Sequence, residues 1–221
     1  MKFPAIRQRV VEMSVLLADH GYFAATGGNL ALRVDEQHMV VTPSAVDYYQ
    51  MRPEDICVLR LRDLRKVDGE RKPSVESGMH AQVLRKRTDC LASIHTHQPA
   101  ASALSLLGRA LPVQGAEQQV LLGPQILIAG YAPSGTSWLS NKLRRVLRQD
   151  VNAYLLRTHG AICCGSSPER ALQAIAALEA LAVTYLRGCL ATRATLVSPE
   201  QAALQKLIAT LDAQPVQELI A

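Results

Sequence analysis

Aromatic side chains are scarce: one tryptophan, two phenylalanines and six tyrosines amount to 4% of the 221 residues. Single-stranded nucleic acids bind where aromatics stack bases among clustered cations. The basic residues here are scattered, so no nucleic-acid partner is expected. No unbroken apolar run reaches the roughly 18 residues that a bilayer span requires. The amino end, from Met1 to Gly21, mixes charge into every turn and lacks the apolar segment and small-residue cleavage site of a secretory leader. A cytoplasmic chain with no membrane partner is the expectation. Internal repeats and low-complexity linkers are also missing. The length fits one domain over residues 1–221, with 200–221 a tail whose end could be mobile.

Cysteines are few and odd in number. The five, Cys57, Cys90, Cys163, Cys164 and Cys189, sit at irregular spacing, which excludes a disulfide framework and predicts reduced, mostly buried thiols. In a strand the adjacent Cys163 and Cys164 would point to opposite faces, which argues against a shared metal. What the chain does have is an ordinary globular balance of 48% apolar and 19% charged residues, with a formal charge of +5 that suits an anionic metabolite. The densest basic run, Lys142 to Arg148, carries Leu143, Val146 and Leu147 at helical spacing and reads as the solvated face of an amphipathic helix.

Apolar positions at Ile6, Val10, Met13, Leu16 and Leu17 predict an opening helix that exits at His20-Gly21. Residues 29–34 and 38–41 read as a hairpin ending at Thr42-Pro43, and 56–59 as a further strand. From Val75 to Lys86 the pattern is helical with Ser74 placed as N-cap, and a strand from Cys90 to His95 follows. A helix starts near Gln98-Pro99 and runs toward Leu107. Strands at 126–128 and 153–156 flank a helix over Ser137–Leu147, and Pro168 opens a long helix through Leu186. One more helix is expected after Ser198-Pro199. Short strands interleaved with helices predict an α/β sandwich in one domain.

Three elements carry chemistry. In Ile94-His95-Thr96-His97 an extended backbone puts residues two apart on one face, so both imidazoles can converge on one ion. Thr158-His159-Gly160 follows an apolar strand and offers a third nitrogen beside a glycine that permits close backbone approach. Glu76 precedes the first pair; its carboxylate either completes a tetrahedral site or serves as a proton-abstracting base. His80 stands one helical turn from Glu76 and reads as its hydrogen-bonding neighbour, whereas His20 and His38 lie in polar surroundings without a role. The small-residue turn Thr26-Gly27-Gly28-Asn29 exposes backbone N–H groups that could cradle a phosphate. Thr42-Pro43-Ser44-Ala45 and Lys72-Pro73-Ser74 add hydroxyls that matter only if the fold gathers all three turns.

Taken in order, Thr26-Gly27-Gly28-Asn29-Leu30-Ala31-Leu32-Arg33, Thr42-Pro43-Ser44, Lys72-Pro73-Ser74-Val75-Glu76, His95-Thr96-His97 and His159-Gly160 resemble the class II aldolase/adducin family. The resemblance implies an α/β/α sandwich around a central, mostly antiparallel sheet. It implies a zinc site from His95, His97 and His159 with Glu76 as fourth ligand or base, and a phosphate pocket from Gly28, Asn29, Ser44 and Ser74. Manganese or cobalt could occupy the same ligands. It further implies a homotetramer with active sites at subunit contacts. The expected activity is retro-aldol cleavage of a phosphorylated ketose through a metal-stabilised enediolate. The alternatives are a methylthioribulose-phosphate type dehydratase or an epimerase, and, outside enzymes, an adducin-like scaffold. The chain departs from the aldolase pattern at Val75, where that pattern has a second serine, at Ala31 for serine and at Ala45 for glycine. Directly after Leu111-Pro112, where the aldolase pattern carries a tyrosine, the sequence reads Val113-Gln114-Gly115-Ala116-Glu117-Gln118. Glu117 instead resembles the acidic residue that dehydratase members use for proton transfer.

Overall fold

A computed structural model describes residues 1–23 and 27–196, together with residues 203, 205, 206, 209, 210 and 213. Thr26, Ser198, Pro199 and the end of the 200–221 tail lie outside the described residues; of the helix expected after Ser198-Pro199, the described residues 203, 205, 206, 209 and 210 are helical. The opening helix forms as α1 (Pro4–Asp19), and its buried positions Val10, Met13 and Leu17 follow the apolar spacing. The expected hairpin forms as β1 (Asn29–Arg33) and β2 (His38–Val41), then come β3 (Cys57–Arg60) and β4 (Lys66–Asp68). Next are α2 (Ser77–Lys86), β5 (Ala92–Thr96), α3 (Pro99–Ser105), β6 (Leu111–Pro112), α4 (Ala116–Leu122) and β7 (Gln125–Ala129). The last elements are α5 (Ser137–Val146), β8 (Ala153–Leu156), β9 (Gly160–Gly165) and α6 (Pro168–Leu196).

Among the described residues the strands form one nine-stranded sheet in the order β4-β3-β2-β1-β5-β9-β8-β7-β6. Every pairing is antiparallel except β7 with β8, as the mostly antiparallel expectation required. One face buries Leu30, Ile94, Ala161 and Cys163 against α1, α3 and α6; the other buries Ile162 and Cys164 against α2 and α5. Cys163 and Cys164 thus point into different layers, as strand alternation demands. All five cysteines are free thiols.

Two expectations are corrected. Ser74 is not the cap of α2: the helix starts at Ser77, Glu76 takes the N-cap position, and Ser74 Oγ accepts the Glu76 N–H at 3.2 Å. The tight turn between Ser74 and Ser77 lifts Glu76 out of the helix, toward β1 and β5. The segment Pro168–Arg193 is long and apolar enough, by length and composition alone, to cross a bilayer. Its first half packs into the core, with Ala171, Leu172, Ala174, Ile175 and Leu178 fully or almost fully buried against the sheet layer, while residues 183–193 are half-buried or exposed.

The same helix holds the corner where β5 turns into α3. Glu179 accepts the backbone N–H groups of Ala100 (2.8 Å) and Ala101 (2.9 Å), while Gln98 Nε2 donates to the Ile175 carbonyl (2.8 Å). Burial pushes the Glu179 carboxyl above its ordinary value, and the two N–H donors only partly offset that. Glu179→Ala leaves those N–H groups without an acceptor in a site with little water. The expected loss is about 2 kcal/mol of unfolding free energy, read as a lower urea midpoint with an unchanged m-value.

Candidate active site and metal centre

The register of the central strands assembles the site. Asn29 on β1 lies directly across from His95 on β5, and His95 across from Ile162 on β9. Ser93 and His95 share the α2 face of the sheet, and His97 follows just past the strand end. The β8–β9 turn brings His159 beside them. Thr158 turns that corner at φ +58°, a left-handed conformation that costs a β-branched residue about 1–2 kcal/mol. Gly160 lets the turn close: a β-carbon there would collide with the Thr96 carbonyl oxygen and lie 2.9 Å from His97 Cδ2. Gly160→Ala is therefore expected to push β9 off β5 and weaken metal uptake at least tenfold in a competitive chelator titration. Equal affinity would mean that the turn relaxes freely.

The three rings pack with centroids 4.8, 4.8 and 5.1 Å apart. One ligating atom from each of His95, His97 and His159 lies within 4.8 Å of the others, and His95 Nε2 is 3.0 Å from His97 Nε2. Ligands about 2.0–2.1 Å from a tetrahedral zinc stand about 3.3 Å from each other; His95 and His97 are near that spacing, and the widest pair of the three has to draw in to share an ion. Glu76 faces the cluster, with Oε2 3.2 Å from His95 Nε2 and Oε1 3.4 Å from His159 Nε2. His95 Nδ1 donates to the Ala161 carbonyl at 2.7 Å, which turns Nε2 toward the carboxylate. Without a proton on that nitrogen the two groups would meet as acceptors, an arrangement that only positive charge between them stabilises. A proton or a metal ion satisfies that condition.

Burial alone would raise the Glu76 carboxyl. The hydrogen bond and charge of His95, with donors from Asn29 Nδ2 (2.9 Å) and Ser134 Oγ (2.7 Å), outweigh it and hold the group well below the usual carboxylate range. Burial, then the charges of His95 and His159, push His97 down to about 4; burial also lowers His159. Both rings therefore stay in the neutral form that a metal requires. Among the described residues His159 Nδ1 has no hydrogen-bond partner.

A cavity of about 190 Å³ opens over the cluster, lined by Glu76, His97 and His159 and by Gly28, Asn29, Ser44 and Ser74. The two hydroxyl turns meet through a bridge between Pro43 and Pro73. Ser44 N donates to the Lys72 carbonyl (2.9 Å) and Ser74 N to that of Thr42 (3.1 Å). The glycine turn is fixed from beneath: Gly28 sits at φ +103°, a β-carbon there would enter the Phe23 ring, and Tyr48 Oη donates to the Gly28 carbonyl at 2.8 Å. Ala45 keeps a left-handed backbone, φ +56°, so the turn retains a glycine-like shape without glycine. Asn29 spends an amide proton on Glu76. Glu117, in contrast, stands exposed in the first turn of α4 and does not line the cavity. The sequence reading missed Ser134, although Pro133-Ser134-Gly135 is a turn hydroxyl of the kind it noted elsewhere. It also paired His80 with Glu76, whereas His80 reaches Asn29. His20 bonds the Leu16 carbonyl and His38 pairs with Asp35, both away from the cavity.

The chain belongs to the class II aldolase and adducin N-terminal domain family, whose model matches residues 8–186. It is similar to a 5-deoxy-D-ribulose 1-phosphate aldolase of Bacillus thuringiensis, with 34% identity over 81% of this chain and 83% of the relative. It is also similar to a methylthioribulose-1-phosphate dehydratase of Yersinia pseudotuberculosis, with 33% identity over 75% of this chain and 79% of the relative. Among solved structures it resembles an L-fuculose 1-phosphate aldolase, with TM-score 0.78 and 27% identity over 95% of this chain and 98% of that one.

The buried histidines give the fold a pH dependence. Burial, ahead of the neighbouring His95 charge, presses the wholly buried His80 down to about 3 from an ordinary 6.5. Between those values the unfolded chain takes up a proton that the folded chain does not, so stability is full above about 6.5 and falls as pH drops. His97 acts in the same direction. Glu76, with its folded value depressed, loses its contribution as pH falls below the carboxylate range. From pH 6.5 to 4.5, His80 alone is expected to cost the metal-free protein about 2–3 kcal/mol. Urea midpoints that stay level over that interval would contradict the burial of a neutral His80.

Proposed function

We propose that the chain is a zinc-dependent aldolase that splits a phosphorylated ketose, with 5-deoxypentulose 1-phosphates as the substrate class. One observation carries the reading: ring nitrogens of three histidines and the Glu76 carboxylate converge beneath a small polar cavity. The similarity to the Bacillus thuringiensis aldolase supplies the substrate class.

In the proposed cleavage the bond between C3 and C4 breaks. Its electron pair moves toward the C2 carbonyl, Glu76 takes the proton of the C4 hydroxyl, and a two-carbon aldehyde departs. Glu76 returns a proton to C3, leaving a three-carbon ketone phosphate. Asn29 and Ser134 keep the carboxylate aimed and ionised between turns of the cycle. Gly28, Ser44 and Ser74 anchor the phosphate through neutral donors. A divalent ion held by His95, His97 and His159 supplies a Lewis acid that draws charge from the substrate's carbonyl and hydroxyl oxygens. A homotetramer with active sites at subunit contacts, in the cytoplasm, belongs to the same reading; Val75, apolar and 67% exposed beside the cavity, supports the assembly.

Dehydration is the second reading, favoured by the similarity to the Yersinia enzyme, although Glu117, the residue it would use, stands outside the cavity. Incubation with 5-deoxyribulose 1-phosphate is expected to release a ketone phosphate and an aldehyde, identified by mass. Loss of water from methylthioribulose 1-phosphate, abolished in Glu117→Gln, would replace the aldolase assignment. Glu76→Gln is expected to lower kcat by about 10²–10⁴-fold. Protein dialysed against a weak chelator is expected to keep one zinc per chain, and none in His95→Ala. Wild-type protein free of stoichiometric metal would favour the scaffold.

A further inference from the structure

His80 lies on α2 with no exposed surface, and both its ring nitrogens are bonded: Nδ1 is 2.8 Å from Ser93 Oγ and Nε2 is 2.7 Å from Asn29 Oδ1. The direction of each bond follows from its end. Glu76 is a carboxylate and accepts only, so the Asn29 atom facing it is the amide nitrogen, at 2.9 Å. The opposite atom of that amide is the oxygen, and what meets it must donate, so His80 carries its proton on Nε2. Burial holds the ring neutral, which leaves the lone pair on Nδ1 to take the Ser93 hydroxyl proton. Ser93–His80–Asn29–Glu76 is therefore a one-way chain of donors ending on the anion.

We infer that His80 is a positioning residue that locks the Asn29 side-chain amide in the one orientation that presents N–H, and not oxygen, to Glu76. An amide turned by 180° occupies nearly the same volume but sets oxygen against carboxylate. The Nε2–H of His80, pointed at the far end of the amide, opposes that turn from the other side, where the turned amide would set N–H against N–H. The chain of bonds orients and does not conduct, because the Asn29 amide does not pass a proton on at neutral pH. Ser134 holds the other oxygen, Oε1, at 2.7 Å, so the carboxylate is fixed at both ends. The catalytic consequence rests on the proposed role of Glu76 in moving the proton; the lock itself does not.

Two variants separate a donor from a merely buried side chain. His80→Gln keeps an N–H at the reach of Nε2, and His80→Met keeps length and burial without a donor. Metal-free protein labelled with ¹⁵N in histidine and asparagine is expected to show His80 as the Nε2–H tautomer. The Asn29 amide protons are expected to exchange with solvent at least tenfold faster in His80→Met than in wild type, with protection retained in His80→Gln. In metal-loaded enzyme, His80→Met is expected to lose about 10²-fold in kcat with KM within about threefold and zinc content unchanged. His80→Gln recovers most of that loss. An Nδ1–H tautomer, or equal Asn29 exchange in the two variants, would overturn the lock even if the protein cleaves its substrate. A wild-type protein that binds no metal and cleaves nothing would overturn the proposed function, while the tautomer and exchange results still decide the lock. If His80→Met fails to fold, the wild-type tautomer and the exchange rate in His80→Gln decide it in the same way.

Discussion

A carboxylate pressed against imidazole lone pairs, with almost no water around it, is a repulsive arrangement until positive charge enters, and the rest of the site is organised around that condition. Oε2 of Glu76 is 3.2 Å from His95 Nε2, and the two meet as bare acceptors whenever that nitrogen carries no proton. The Ala161 carbonyl takes the other proton of His95 and so keeps its lone pair turned inward. Donors reach Glu76 from outside the cluster, Asn29 on one oxygen and Ser134 on the other, which keeps it anionic without filling the central point. In a low-dielectric interior such preorganisation is worth more than it would be in water, since the dipoles need not turn when charge arrives.

Strand register makes this convergence possible for residues far apart in sequence. The last paired residues of β5 and β9 are Thr96 and Ala161, so His97 and the Gly160–His159 corner leave the sheet at the same edge. A slip of one residue would turn His95 into the opposite layer, and a slip of two would separate the ligands by about 6–7 Å. Register is held by buried residues on both faces, Ile94 and Cys163 on one and Ile162 and Cys164 on the other. Hydrophobic packing on both sides of the central strands therefore sets a distance between polar groups at their ends.

What could be read in advance follows from which signals are local. α1, the β1–β2 hairpin, α5 and β8 announce themselves by periodicity and turn residues, and the histidine pair by its spacing of two. β9 gave no alternation to read, because all six of its residues are buried. β6 has two residues and α4 is a short helix with one buried side chain, so neither carries a pattern long enough to recognise. The start of α2 was misplaced because Ser74 is a good cap by composition, while the structure uses its hydroxyl to bend the chain at Glu76. Ser134 and the bond from His80 to Asn29 are long-range contacts, across 58 and 51 positions, and no local spacing encodes them.

Charge balance ties the two halves of the cavity together. Among the described residues that line it there is no lysine or arginine, and one of them, Glu76, is itself an anion. A phosphorylated substrate adds about two further negative charges, met from the protein side only by hydroxyls, backbone N–H groups and the start of α2. Under the proposed function, the positive charge that balances them would be carried by an ion held among the three histidines. Occupancy of that point and affinity for an anionic ligand are therefore linked, and by reciprocity each must raise the other by the same factor.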